Sequence, residues 1–250
     1  MMLIRTALLA LFVALGPAAV HATGQGVPVQ FGAGSSVLSR DELHSLLEQY
    51  ESVIASPAYS GSIKDVARMN ASRIRERLEN GDFQPGDGIV LSVQGEPDLP
   101  DTVAVETGPQ ITLPLFGEIS LEGVLRSEVT DHLTREIGRF IKDPVVRAEG
   151  LMRLSIQGMV RNPGFFVVPA DILVSEALMV AGGPAAESNL DNLRIERGPL
   201  RIIEGNEMRD ALQEGRTLDQ LNLQAGDQIF LPQRTAGPWP TLLRYSAIIG

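Results

Sequence analysis

Two short stretches set an acidic residue in nearly the same surroundings. "FQPGDGIVL" runs from Phe83 to Leu91, and "LQAGDQIFLP" from Leu223 to Pro232. Each places an aspartate, Asp87 or Asp227, after a glycine and just before an apolar, β-like run. Paired carboxylates are the machinery of glycoside hydrolysis, so the repeat raises that chemistry first. A Gly-Asp step ahead of a strand also has a plainer use, as a turn whose aspartate bonds nearby backbone N–H groups. The turn is the expected reading. The chain holds 31 acids, and apart from this repeat nothing in their spacing singles out a pair.

Other reactive side chains are sparse. Of the three histidines, His44 and His132 fall on different predicted helices, with no second histidine at i+4, and His21 lies in the first segment. A metal site needs several converging ligands, so both are expected to be ordinary helix histidines. The absence of cysteine excludes disulfides, Fe–S clusters, Cys-ligated zinc, a Cys nucleophile and a lipidated N-terminal cysteine. No G-x-S-x-G elbow is present. "GAGSS" at 32–36 has the glycines of a phosphate loop but not its Gly-Lys-Ser/Thr ending. "NAS" at Asn70 fits a glycosylation sequon but lies within a predicted helix. No catalytic, metal-binding or cofactor-binding residue is therefore expected. A formal charge of −10 argues against nucleic acid as a partner, because phosphate binding needs a basic stripe.

The elements that must position these residues begin after a leader. "MMLIRTALLALFVALGPAAVHA" carries one charge, Arg5, then an apolar run and small residues. This is the pattern of a secretory signal cleaved after Ala22. A transmembrane anchor is the alternative, but the apolar run falls short of the roughly 20 residues that a span needs, and Pro17 interrupts it. Residues 23–38 read as a flexible leader. Ser39 and Glu42 form a capping box at the start of a helix that Ser56-Pro57 ends. A second helix is predicted from Ile63 to Leu78 and closed by Asn80-Gly81. The two make a helical hairpin over 39–81, laid on a partner or on the next domain.

From Asp82 the pattern turns to short β-rich runs punctuated by Gly and Pro. One helix interrupts them, with Ser127 as its expected cap, Val129, Leu133 and Ile137 as its stripe, and Asp143-Pro144 as its stop. Two strands follow around Asn162-Pro163-Gly164, where Pro163 sets φ and Gly164 is expected at positive φ. A short helix ending in Gly182-Gly183, a pair of strands and a polar helical stretch lead to the second Gly-Asp run. The class predicted is α+β: a helical hairpin, a small α/β unit over 82–149, and a β-grasp-like unit over 150–232. Residues 233–250 form a tail whose last ten residues have room for a helix of roughly 15 Å.

Here particular residues carry a resemblance. "FQPGDGIVLSVQGEPDL", "ITLPLFGEISLEG" and "FIKDPVV" resemble the export domain of the bacterial outer-membrane polysaccharide export (OPX, Wza-like) family. "IQGMVRNPGFFVVPADILVSEALMVAGGP", "LDNLRIERG" and "GDQIFLP" resemble the SLBB domain, a β-grasp unit that follows it there. The family motifs fall on Pro85, Gly86, Asp87, Gly95, Glu96, Pro114, Gly117, Asp143 and Pro144 in the first part. In the second they fall on Gly158, Val160, Pro163, Gly164, Gly182, Gly183, Gly226 and Asp227. The resemblance implies that these residues shape turns and strand starts, and that the protein is no enzyme. It implies a homo-oligomeric ring in the periplasm at the outer membrane, serving as a conduit for capsular or extracellular polysaccharide. It also implies work with an inner-membrane polysaccharide co-polymerase. Lacking a lipidation cysteine and a long C-terminal helix, this chain is expected to form a soluble or peripheral ring that docks to a separate outer-membrane β-barrel. Two rivals remain: a monomeric periplasmic SLBB-type ligand- or sugar-binding protein, and a periplasmic polysaccharide hydrolase. The hairpin lies outside the resemblance and is expected to pack between subunits or against a partner.

Overall fold

The structure is a computed structural model and describes residues 37–234. Cleavage at Ala22, the leader motif at 32–36 and the helix expected near the C-terminus lie outside the described residues.

Two helices come first, α1 (Arg40–Ala55) and α2 (Gly61–Asn80). The capping box forms as expected, Ser39 accepting from the Glu42 N–H and the Glu42 side chain accepting from the Ser39 N–H. Gly81 stops α2 at φ 80°. Leu43, Leu46, Tyr50 and Val53 of α1 meet Ala67, Ala71 and Ile74 of α2 in a core that also takes Leu38 and Leu125.

The strands are β1 (Gly88–Val93), β2 (Thr102–Ala104), β3 (Gln110–Leu113), β4 (Gly117–Ser120), β5 (Val146–Gly158), β6 (Gly164–Pro169), β7 (Arg194–Arg197), β8 (Leu200–Ile203) and β9 (Gln228–Leu231). Helix α3 (Val129–Ile137) precedes β5, α4 (Val174–Val180) follows β6, and α5 (Gly205–Glu214) follows β8. β3 and β4 form a separate hairpin. The other seven strands share one sheet in the order β2-β1-β5-β9-β7-β8, with β6 also on β5. The class is α+β, as the sequence pattern indicated.

β5 organises the molecule. The sequence reads as separate runs, "VVRAE" and "LMRLSIQGMV", but the chain forms one strand of 13 residues. Its first half pairs antiparallel with β1, from Val93↔Val146 to Gly88↔Leu151. Its last residues pair in parallel with β9, from Ser155↔Gln228 to Gly158↔Leu231. β6 pairs with the middle, Leu151↔Pro169 to Ile156↔Gly164. Since Leu151 has both Gly88 and Pro169 as partners, and Ser155 both Phe165 and Gln228, β1 and β9 lie end to end on one edge and β6 covers the other. One apolar core forms around β1, β3, β4 and α3, and a second around α4, α5, β7 and β9. The hairpin core is the third.

Two local expectations are corrected. Ser127 does not cap α3. It sits inside a 3-10 turn, Arg126–Glu128, whose leading N–H, that of Leu125, donates to Glu128 Oε2 at 3.2 Å. The Arg126 N–H is taken by Asp82 Oδ2 at 2.9 Å, so carboxylates already hold the two N–H groups just before Ser127. Gly164 is not in the left-handed region; it opens β6. The positive φ of this hairpin belongs to Gly158, at 90°, where a Cβ would lie 2.1 Å from the Leu231 carbonyl oxygen. The close approach of β9 to β5 therefore requires a glycine there.

Candidate functional site

The two Gly-Asp stretches build the same turn. Asp87 N–H donates to the Gln84 carbonyl at 3.0 Å, and Asp87 Oδ2 accepts from the Gln84 N–H at 3.1 Å. Asp227 N–H donates to the Gln224 carbonyl at 3.1 Å, and Asp227 Oδ2 accepts from the Gln224 N–H at 2.9 Å. The preceding glycines, Gly86 and Gly226, sit at φ 94° and 85°. Each aspartate thus closes a four-residue turn through its backbone and its side chain together.

The two turns also meet. Asp87 Oδ1 accepts from the Arg153 N–H at 2.8 Å. The Arg153 carbonyl accepts from Gly226 N–H at 2.9 Å, and the Asp227 carbonyl accepts from Ser155 N–H at 2.9 Å. β1 and β9 therefore set off in opposite directions from one point on β5, and the turns supply partners for the backbone left between them. Asp227 also takes Arg197 Nε at 2.7 Å and Nη2 at 2.8 Å. Both carboxylates are buried, 1% exposed for Asp87 and 0% for Asp227. Burial pushes the Asp87 carboxyl above its usual range; Arg126 and the N–H groups of Arg153 and Gln84 offset this in part. A general acid must reach its substrate, whereas these oxygens are enclosed and already accept bonds.

Beside the turns lies a buried charge cluster that joins all three cores. Arg77, at the end of α2, is 0% exposed. Its Nε donates to Asp82 Oδ1 at 2.7 Å and its Nη2 to Asp219 Oδ1 at 2.8 Å. Its Nη1 donates to Asn222 Oδ1 at 2.7 Å and to the Asp219 carbonyl at 3.0 Å. Arg126 Nη2 donates to the Asp82 carbonyl at 3.1 Å, and Arg126 Nη1 to Asp219 Oδ1 at 3.4 Å. Asp219 Oδ2 also accepts the Leu38 N–H, at 2.8 Å, just before α1. Two guanidiniums thus face Asp82, Asp87 and Asp219. Burial alone would raise the Asp82 pKa, but Arg77 and Arg126 outweigh it and hold the carboxyl below its usual range. Burial likewise opposes the charge on Arg77, and Asp219 and Asp82 more than compensate. Among the described residues, Arg126 Nε is the one buried side-chain nitrogen or oxygen without a partner.

More bonds tie the hairpin to its own chain. Arg73 Nη2 reaches the Ile202 carbonyl at 3.3 Å, and Arg40 pairs with Glu128 at 2.7 Å. Of the places open to the hairpin, the one observed is against the units that follow it.

The remaining motif residues form turns. Pro85 lies in the first Gly-Asp turn, where Gly86 N–H donates to the Val105 carbonyl at 2.9 Å. Gly95, at φ 94°, and Glu96 close the far end of β1. Pro114 and Gly117, the latter at φ 79°, flank the β3–β4 turn, and Asp143, at φ 50°, precedes Pro144 ahead of β5. Val160 bridges to Pro184, and Arg161 and Asn162 donate to the Gly183 and Ala181 carbonyls at 3.1 and 3.0 Å. These bonds bring the Val160–Gly164 segment against Gly182 and Gly183. So the motifs fall on several turns rather than around one cavity: one group beside Arg153, one at the end of α4, and the rest at the far end of β1, at the β3–β4 turn and ahead of β5.

His44 is exposed, and His132 Nε2 contacts the Ser120 carbonyl at 2.7 Å. Asn70 is 5% exposed and accepts from Arg73 at 3.1 Å, so the sequon is enclosed. Among the described residues no group of three or more acids or histidines is placed to hold a metal ion. No described helix is long and apolar enough to cross a membrane. The sequence reading missed Arg77, Asp82, Arg126, Asp219 and Asn222. One signal was present: Arg77 falls in register with Ala67, Asn70, Ala71 and Ile74 on the buried face of α2.

Comparison with known proteins follows the same division. Residues 77–149 match the family model described as polysaccharide biosynthesis/export protein, and residues 153–211 match the SLBB domain. The chain is 27% identical over 169 residues to the EPS I polysaccharide export outer membrane protein EpsA of Ralstonia solanacearum, covering 62% of this chain and 45% of that protein. It is 31% identical over 155 residues to the protein of the same name from Ralstonia nicotianae, covering 58% of this chain and 39% of the relative. The chain thus spans less than half the length of either relative.

Proposed function

The chain belongs to the polysaccharide biosynthesis/export family, with an SLBB domain in series, and on that premise we propose that it is a non-enzymatic part of a polysaccharide export conduit. It forms a homo-oligomeric ring in the periplasm at the outer membrane, through which capsular or extracellular polysaccharide passes. The observation that carries this reading is the pair of family matches in series, meeting on the single strand β5. The names of the two relatives, both outer-membrane export proteins, support it. The enclosure of Asp87 and Asp227 supports a role without chemistry, since the acids in the repeated motif serve as turns. Export of a polymer needs a fixed passage rather than a reactive group.

Residues 82–149 act as the export domain and 150–232 as the SLBB domain, with β5 shared between them. An inner-membrane polysaccharide co-polymerase delivers the polymer, and a separate outer-membrane β-barrel completes the route. Electron microscopy of the protein extracted from native membranes tests the ring. Closed rings are expected. A monomer at high concentration with measurable affinity for oligosaccharide would instead establish the ligand-binding alternative.

A further inference from the structure

We propose that the chain assembles by strand pairing between the free edge of β6 in one copy and the free edge of β2 in the next, so that the sheet continues from subunit to subunit. This rests on the ring reading above and names the surface that builds the ring.

The bonding pattern shows which backbone groups are free. Arg153 and Ser155 turn their polar groups toward the β1/β9 edge, as their bonds to Asp87, Gly226 and Asp227 establish. Met152, Leu154 and Ile156 therefore turn toward β6 and pair there with Val168, Phe166 and Gly164. Phe165 and Val167 are left with N–H and C=O pointing away from the sheet. β2 has the same arrangement. The Asp101 carbonyl accepts from Leu91, and Val105 N–H donates to the Asp87 carbonyl. Val103 thus faces Ile89, and Thr102 and Ala104 point outward. Among the described residues no protein group bonds the outward backbone of these four.

Their side chains share one face of the sheet. Val90 opposes both Thr102 and Glu149, and Arg153 opposes Val167, so the register places Thr102, Ala104, Phe165 and Val167 on the same side. Phe165 is 61% exposed and Val167 49%. The six residues of β6, "GFFVVP", carry no charge. An exposed, apolar, uncharged edge is a template for another strand.

Three features point to a second copy as that strand. First, β2, β1, β5 and β6 alternate in direction. If copies keep their strand direction, β2 of the next copy meets β6 antiparallel, which continues the alternation. Second, each edge offers two outward residues at i and i+2. Phe165 opposite Ala104 and Val167 opposite Thr102 set large side chains against small ones on one face. Third, the charge at the centre of the edge is complementary: the Arg153 guanidinium lies 4.1 Å from the Phe165 ring centroid, and of the residues flanking β6 Arg161 precedes it and Asp171 follows it. The segment around β2 carries Glu96, Asp98, Asp101 and Glu106 and no base. A contact between two different edges is head to tail, the kind that closes into a ring when the rotation between copies allows.

The test uses the full chain, which has no cysteine of its own. Ala104→Cys and Phe165→Cys are made in separate chains, mixed, and treated with a short bis-maleimide. A cross-linked dimer is expected in the mixture and at least tenfold less in either variant alone. Phe165→Lys should weaken assembly at least tenfold while circular dichroism and melting temperature stay at wild-type values. If that variant fails to fold, Thr102→Lys tests the opposing edge. Rings that form without the mixed cross-link, or that survive the lysine substitution, overturn the proposal and leave the export function standing. A chain that stays monomeric overturns both this interface and the ring, and secretion in the host then decides the export role separately.

Discussion

Arg77→Met tests whether the buried charge cluster holds the three cores together. The substitution keeps the apolar stem and removes a guanidinium that makes five hydrogen bonds, to Asp82, Asp219 and Asn222. Breaking a buried ion pair from one side costs about 3–5 kcal/mol, because a charge is left behind without its partner. Arg126 still donates its N–H to Asp82, and its guanidinium lies 3.4 Å from Asp219. The expected loss is therefore at the lower end, about 3–4 kcal/mol. At about 2–4 °C per kcal/mol for a chain of this size, that lowers Tm by about 6–16 °C. Urea unfolding followed by circular dichroism measures it, with a lower midpoint and an unchanged slope. Adding Asp82→Asn and Asp219→Asn to the variant should recover part of the loss, since fewer unpaired charges remain buried. A cost under about 1 kcal/mol, the scale of an exposed pair, would refute the view that Arg77 fastens the hairpin to both sheet units.

Gly158→Ala should cost about 2–6 kcal/mol, combining strain at positive φ with forced separation of β5 from β9. Gly226→Ala has the strained φ but nothing within 4 Å of the added Cβ, so about 1–3 kcal/mol is expected; equal losses for the two would contradict the geometry at Leu231. For Asp87, whose folded pKa is raised, the stability it contributes is full below its unfolded pKa of about 3.9 and is lost as pH rises through the folded value. Asp87→Asn removes that titration, so the gap between wild type and variant should narrow as pH rises above about 4; parallel urea midpoints from pH 3.5 to 7 would count against it. Asp82 has the opposite sign: its folded pKa is depressed, and its contribution is lost only as pH falls through that value. A double-mutant cycle on Arg197→Ala and Asp227→Ala should give a coupling of about 0.5–3 kcal/mol; no coupling would mean that the bidentate pair does not support the second turn.

Local features were the legible part of this chain. The capping box at Ser39 and Glu42 needs only neighbours within one turn of helix, and it formed as read. Both Gly-Asp stretches showed as a repeat because Gln, Gly and Asp bond within four residues. What the repeat accomplishes was not visible, since it depends on Arg153, 66 residues from Asp87. The charge cluster was hidden for the same reason: Asp219 lies 142 residues from Arg77. The cap at Ser127 was misplaced because a long-range bond from Asp82 fixes that backbone. Gly164 was misread because the turn is held from outside, by the carbonyls of Ala181 and Gly183. "GFFVVP" reads as a continuous apolar strand, yet half of it faces outward at an edge.

The most direct measurement is the partition of newly made polysaccharide in a host from which this chain alone has been deleted, with no paralogue present. Cells fed labelled sugar should go on making polymer and retain it, and labelled polymer at the surface and in the medium should fall to near background until the gene is restored. Normal secretion of labelled polymer in the deletion strain would contradict a role in the export conduit.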